Sequence, residues 1–274
     1  MAAVIQSHKL ITTLVTKYMF KKIILASTLA ISTSFAAWDL FPILENHKGQ
    51  AKLATSFTTY TWHDDNYKTL IMSADIRYTV IPNLELALGV PYRFFSYFAG
   101  KDMGEDGFGS PHFSTRYQFI PIMSAFADIY FPIGDDSLIG TEEWAFNASL
   151  QFSTQFSPLL NFGSELGACY STYGKDDIAT LCAFVDTELD FAVTPSFTPY
   201  ISADVNVKLG GFDKDEGYKL SIGNKITYIE LGVGTKYDIN QIVSLDASVG
   251  FDKLLNRKDA PTFIIAKLAA LFNF

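Results

Sequence analysis

The sequence predicts an all-β protein, a transmembrane antiparallel up-and-down β-barrel of about 12 strands. Three observations lead to this expectation. Apolar and polar residues alternate with a period of two along most of the chain after residue 49, as they do in strands with one lipid-facing side. Aromatic residues reach 15% of the composition, whereas charged residues reach only 18%. No apolar run of roughly 18 residues follows the N-terminal leader, which argues against a helical membrane protein.

The stretch Pro261–Phe274 shows the alternation clearly. Counting back from Phe274 through Phe272 to Ile264, every second residue is apolar. The stretch is about as long as a tilted membrane-spanning strand, roughly 9–11 residues. In hydrocarbon its backbone N–H and C=O groups need partners on both sides, which requires a closed sheet. Phe272 and Phe274 resemble the signal by which bacterial outer-membrane barrels are recognised for assembly, so the barrel-assembly machinery is an expected partner.

Residues 1–36 are expected to form an upstream extension and a secretory signal peptide. Met19–Lys22 carries two lysines, Ile23–Ile31 is largely apolar, and small residues precede a cleavage site after Ala36. A helix packed within the domain is the alternative for this stretch. Residues 37–49 are then a periplasmic N-terminal segment, and residues 50–274 form a barrel in the lipid of the bacterial outer membrane.

The connections between the predicted strands alternate in length. Short turns separate the two strands of each pair, and longer polar loops such as 94–110 join one pair to the next. This order gives an even number of strands with both chain ends on the short-turn side, as bacterial outer-membrane barrels require. The short turns are predicted at 81–83, 120–122, 156–158, 194–197 and 238–240.

Charged residues on the inward register suggest a lumen with two unlike walls. The predicted pore-lining carboxylates are Glu165, Asp186, Glu188, Asp190 and Asp204. The predicted pore-lining cations, about half the circumference away, are Arg77, Arg93 and Arg116. Turn positions place Glu188 opposite Asp204 and Arg77 opposite Glu85. An excess of carboxylates predicts a weak preference for cations; the alternative is a polar lumen whose charges neutralise one another locally.

Two further groups of residues bear on enzyme or metal chemistry. Cys169 and Cys182 fall opposite each other if their hairpin is symmetric, which predicts a disulfide in an oxidising compartment. No histidine accompanies them at ligand spacing, so neither a metal site nor a cofactor is expected. His112 and Ser114 form a His-x-Ser pair of the kind that outer-membrane phospholipases use. They share the lumen register with Arg116 and no Asn-Gly follows, so we expect no enzyme and a lipid esterase is the weakest reading.

Four segments carry a family resemblance at familiar spacings: Asn83–Tyr92, Gly107–Gly109, Ser114–Phe119 and Phe131–Asp135. They resemble the transporter-like outer-membrane family named for the MetA pathway of phenol degradation, with its LELG, GxGD…RYxF and PTGD motifs. Ser110 replaces the usual Asp after the second motif, and Ile133 replaces Thr in the third. The resemblance implies uptake of small, often aromatic compounds, and no shared catalytic residues.

The expected function is passive passage of small, aromatic or amphiphilic solutes through a narrow channel, because about twelve strands lie between filled small barrels and open porins. Inward aromatic side chains would give such solutes a surface; they are Phe126, Tyr130, Phe184 and Tyr200. The rival is a structural or adhesion barrel whose lumen is blocked by residues 38–48 or by a loop at 94–98. A net charge of −8 argues against nucleic acid as a partner, and the sequence does not set the oligomeric state.

Overall fold

The structure, a computed structural model, describes residues 40–62, 65–103, 106–133, 143–172, 178–213, 217–219, 227–255 and 260–274. The predicted extension and signal peptide at 1–36 lie outside these residues. No helix in the described ranges is long and apolar enough to cross a membrane.

Twelve long strands in the described part of the chain form one closed antiparallel barrel. Each pairs with its neighbours in chain order, and the first pairs with the last. Their bounds are β1 Gly49–Trp62, β2 Asp65–Ile81, β3 Leu84–Phe98, β4 His112–Ile120, β5 Met123–Tyr130, β6 Ala145–Ser157, β7 Leu160–Ser171, β8 Ile178–Phe191, β9 Phe197–Asp213, β10 Thr227–Asp238, β11 Val243–Leu254 and β12 Thr262–Asn273. The predicted fold is confirmed.

The two ends of the barrel differ in their connections. Tight turns at 82–83, 121–122, 158–159, 192–196 and 239–242 lie at one end, which we call the short-turn end. At the other, the long-loop end, five of the six connections are longer, whereas only residues 63–64 separate β1 from β2. The start of β1 and the end of β12 both lie at the short-turn end, as predicted.

The strands place apolar side chains outward and polar ones inward, the inverse of a water-soluble sandwich. On β2, for example, Met72 and Ile76 are exposed, whereas Asp75, Arg77 and Thr79 are buried. The interior of the barrel therefore consists largely of polar and charged side chains, and the exterior presents the continuous apolar band that hydrocarbon requires.

Part of one predicted loop belongs to the wall of the barrel. The stretch 94–110 was expected to be a loop, but β3 continues to Phe98, and two short strands, Lys101–Asp102 and Gly107–Phe108, pair back onto it. Ser96 faces inward and Tyr97 outward, so the strand alternation persists. The expectation that a 94–98 loop blocks the lumen is wrong, because these residues form part of the wall.

The chain that precedes β1 turns back into the barrel. Lys48 N donates to the Glu45 carbonyl at 3.0 Å, and His47 takes a positive φ of 60°, which closes a tight turn before Gly49. Residues 40–44, which we call the lumen segment, then contact inward side chains of several strands. Leu40 is 0% exposed. The segment expected at the periplasmic mouth thus lies inside the short-turn end of the lumen.

Candidate functional site in the barrel lumen

Five carboxylates form a continuous row across five adjacent strands. Each is the register partner of the next, from β7 to β11. This acidic row consists of Glu165, Asp186, Asp204, Glu230 and Asp252. Asp252 is only 2% exposed, and Asp186 is similarly buried. Such a row concentrates negative charge on one wall of a narrow, low-dielectric space, where its field is poorly screened.

The register between β8 and β9 differs from the prediction. Asp204 pairs with Asp186, and Glu188 pairs with Ser202; the expected placement of Glu188 opposite Asp204 is wrong. Asp190 pairs with Tyr200, so the turn is centred one residue earlier than expected. In this register Asp186 is joined through Asp204 to the carboxylates of β10 and β11. Glu188 and Asp190 lie outside the row, nearer the short-turn end.

Glu188 and Asp190 instead hold a lysine that the sequence reasoning missed. Lys236 Nζ on β10 lies 2.6 Å from Glu188 Oε1 and 3.2 Å from Asp190 Oδ2. Two of the five predicted pore carboxylates are therefore neutralised locally, as the alternative reading expected. Leu231, Val233 and Tyr237 alternate along β10 and are exposed on the outer face. This alternation is the sequence signal that could have placed Lys236 on the inward face.

A second cation lies beside the acidic row. Lys267 on β12 is 2.7 Å from Glu230 Oε1. Within the described residues, the inward carboxylates still outnumber the inward cations. The carboxylates outside the row are Asp75, Glu85, Asp128, Glu188, Asp190 and Asp246, and the inward cations are Lys52, Arg77, Arg93, Arg116, Lys208, Lys236 and Lys267.

The predicted arginines lie on β2, β3 and β4, across the lumen from the acidic row. Glu85 accepts from Arg116 Nη2 at 2.5 Å and lies 3.5 Å from Arg77 Nη1. In the ladder, however, Arg77 pairs with Ala87 and Thr79 with Glu85, so the predicted ion pair forms diagonally. A register irregularity between Thr79 and Ile81 produces this offset. Arg93 lies nearer the long-loop end, paired with Ile71.

The lumen segment is held by polar side chains that bind its backbone. The Phe41 carbonyl accepts from Arg116 Nη1 at 2.8 Å and from Gln151 Nε2 at 2.9 Å. Leu44 N donates to Glu85 Oε2 at 3.0 Å, and its carbonyl accepts from Thr79 Oγ1 at 3.0 Å. These contacts satisfy backbone groups that would otherwise be buried without partners.

The segment also crosses the lumen. Leu40 packs on Gly163 of β7, where a Cβ would lie 2.5 Å from the Leu40 carbonyl oxygen, so only glycine leaves room for it. On β10, Lys236 Nζ lies 4.6 Å from the centroid of the Phe41 ring. The segment thus touches both the arginine side and the lysine side of the short-turn end.

The four aromatic residues predicted to face inward do so. Phe126, Phe184 and Tyr200 are buried, and the Tyr130 ring lies 5.4 Å from the His112 ring. A further aromatic cluster near the long-loop end was missed: Tyr60 stacks on Tyr67 at 4.8 Å and meets the edge of Phe263 at 4.4 Å. Apolar residues in both registers of β1 made its facing ambiguous from the sequence.

The remaining candidates take positions in the wall. His112 Nε2 lies 3.7 Å from Asp75 Oδ1, and Ser114 pairs with Asp128 in the ladder. Cys169 and Cys182 are register partners with Cα atoms 5.0 Å apart, and a disulfide joins them. Within the described residues, no group of three or more His, Cys, Asp or Glu side chains is arranged to hold a metal ion.

A comparison with protein families shows to which family the chain belongs. The sequence model of the family for the MetA-pathway of phenol degradation matches residues 34–253. The chain belongs to this family. The resemblance seen in the four short motifs is therefore confirmed. No curated protein matches the chain in sequence.

Solved structures share the fold at low sequence identity. The COG4313 outer membrane channel from Pseudomonas putida F1 has a TM-score of 0.69 at 12% identity, over 86% of this chain and 98% of that one. The translocator domain of the autotransporter NalP from Neisseria meningitidis has a TM-score of 0.56 at 11% identity, over 92% and 97%. These similarities show that the chain has the fold of outer-membrane β-barrels.

Proposed function

We propose that this barrel is a passive channel of the bacterial outer membrane for small, aromatic or amphiphilic solutes, with a weak preference for cations. The observation that carries the proposal is the acidic row, which lines one side of a polar lumen from β7 to β11. Burying one ionised carboxylate without a partner costs free energy of folding. A row of carboxylates that faces a lumen attracts cations, as rings of carboxylates do in other pores.

Family membership and fold support the same proposal. The chain belongs to a family named for phenol degradation, and its fold is similar to that of a protein described as an outer membrane channel. The inward ring of Tyr130 is only partly buried and offers a flat apolar surface to an aromatic solute. The proposal assigns no catalytic role to any lumen residue.

The arginines across the lumen from the acidic row give the electric field in the lumen its direction. Arg77 and Arg116 share Glu85, so the β2–β4 side is less negative than the β7–β11 side. The Debye length of ~8 Å at physiological salt is comparable to a narrow lumen, so the transverse field persists across it. A dipolar solute would be aligned as it passes, and lipophilic anions would be disfavoured.

A second candidate function has its own supporting observation. The lumen segment crosses the short-turn end from Arg116 to Lys236, which suits a structural or adhesion barrel with a plugged lumen. The two functions make opposite predictions for ion flow.

Conductance of the purified protein in a planar lipid bilayer tests the proposal. An open channel gives discrete steps of current. Under a KCl gradient, its reversal potential should have the sign expected for a cation-selective pore. A plugged barrel gives none in the wild type, and deleting residues 37–44 would then restore steps. If neither protein conducts although both are folded, passive passage is excluded. An anion-selective wild type would contradict the cation preference alone.

A further inference from the structure

The ring of Phe41 occupies a site that barrel residues complete. On one face of the ring lies Lys236 Nζ, 4.6 Å from the centroid. The same ammonium lies 5.1 Å from the centroid of the Tyr200 ring, so it contacts one aromatic ring from the wall and one from the lumen segment. A cation within about 6 Å of a ring centroid is attracted by the negative face of the ring.

The ammonium is held in place independently of Phe41. Glu188 Oε1 lies 2.6 Å and Asp190 Oδ2 3.2 Å from Lys236 Nζ, and both carboxylates are buried. Tyr200 is fixed as well, because its hydroxyl donates to Asp246 Oδ1 at 2.8 Å. The site is therefore built by side chains of β8, β9, β10 and β11 that contact one another.

The lumen segment is also held through its backbone. Hydrogen bonds join the backbone of Phe41 and Leu44 to side chains of the wall, namely Arg116, Gln151, Glu85 and Thr79. A different side chain at position 41 would leave these contacts intact. The contact of the ring with Lys236 is thus separate from the hydrogen bonds that hold the backbone of the segment.

We infer that the site formed by Lys236, Tyr200 and their carboxylates binds the aromatic ring of a passing solute, and that Phe41 is a resident occupant which the solute displaces. The expected ligand is a small, electron-rich aromatic molecule, such as a phenol, since its π-face suits the fixed ammonium. A saturated ring of the same size offers no such face. This inference rests on the proposed channel function and names the site at which the solute is recognised.

The test compares p-cresol with 4-methylcyclohexanol, which matches it in size and hydroxyl group but lacks the aromatic ring. Both are titrated against full-length wild type, Phe41→Ala and Phe41→Trp in a planar bilayer. With the site vacated in Phe41→Ala, p-cresol should reduce conductance at a concentration ~10-fold lower than 4-methylcyclohexanol does, within the range of a cation–π contact. Phe41→Trp keeps the site filled, and its block by p-cresol should be weak.

A lysine variant shows whether the ammonium is responsible. In Phe41→Ala/Lys236→Met, the preference for p-cresol should disappear. Because this change leaves Glu188 and Asp190 without their cation, its fold is checked by heat-modifiable mobility in electrophoresis. If it does not fold, the comparison of Phe41→Ala with Phe41→Trp decides. Equal block by both probes in Phe41→Ala, or equal p-cresol block in the alanine and tryptophan variants, overturns the inference.

Calorimetry separates this inference from the channel proposal. Binding of p-cresol to detergent-solubilised Phe41→Ala is measured by titration, which needs no ion flow. Selective binding without conductance in any variant would retain the ring site and refute the channel. Conductance without selective binding would retain the channel and refute the ring site.

Discussion

Gly49 and Phe274 exchange both of their backbone hydrogen bonds, at 2.8 and 2.9 Å, and so complete the seam between β1 and β12. A Cβ at position 49 would meet the ring of Phe274, so a larger residue there would have to displace the ring. The C-terminal aromatic residue is thus part of the closure of the barrel as well as a candidate signal for its assembly.

Removing Phe274 should strongly reduce the folded fraction in the outer membrane, because it deletes two backbone hydrogen bonds of the seam and the terminal ring. The folded fraction is read from heat-modifiable mobility of outer-membrane fractions. Phe274→Tyr keeps the backbone and a ring and serves as the matched control. Assembly of the deletion variant at the wild-type level would refute the proposed role.

Neutralising the acidic row should reduce cation preference. In Asp186→Asn/Asp204→Asn/Asp252→Asn, the reversal potential under a KCl gradient should move toward zero, since three charges leave the lumen while the side-chain shapes remain. The control removes three exposed carboxylates instead, in Asp65→Asn/Asp102→Asn/Asp238→Asn. If the control moves the potential equally, the row is not its source.

The cysteines should be oxidised in freshly isolated membranes. Mass spectrometry of Cys169 and Cys182 should find no alkylation before reduction and two alkylated thiols after it. Because the strand ladder already closes this hairpin, reduction should cost less than the ~3 kcal/mol that a loop of about 15 residues gives in the chain-entropy model. Two alkylatable thiols without reduction would contradict the disulfide.

A charge on the outer surface should destabilise the barrel. Leu268 on β12 is 58% exposed on the outward face, and arginine near the bilayer midplane costs ~2–4 kcal/mol. The free energy of unfolding is measured in urea for protein inserted in lipid vesicles, with Leu268→Ala as the control for lost side-chain volume. Equal stability of the arginine and alanine variants would mean that this face does not meet lipid.

The long-loop end should face the cell exterior. An epitope tag inserted between Ala99 and Gly100, which form the turn after β3, should be bound by antibody on intact cells. The same tag in the turn at Pro82 and Asn83 should be bound only after permeabilisation. The reverse result would invert the orientation.

The sequence predicted the facing of most strands because lipid and lumen impose opposite chemistries on successive residues. It did not predict registers reliably, since alternation carries no information on bulges or on the centre of a turn. The irregularity near Thr79 displaced the Arg77–Glu85 pair, and the turn before Phe197 displaced Glu188 from Asp204.

The lumen segment could not be located from sequence for a different reason. Residues 40–44 have no periodicity, and their backbone partners come from β2, β3, β4 and β6. Glu85 and Arg116 are register partners on β3 and β4, and Gln151 lies two strands further along the wall, on β6. Partners spread over several strands leave no local pattern in any one strand.

The acidic row has a geometric consequence of its own. Strands in a closed barrel are tilted by roughly 35–45° to its axis, and the row follows the hydrogen-bonding direction, which is perpendicular to the strands. Its five carboxylates therefore lie at different depths and form an inclined arc instead of a level ring. If cations follow the row as proposed, a cation moving from Glu165 to Asp252 would turn about the axis as it advances, along a helical path.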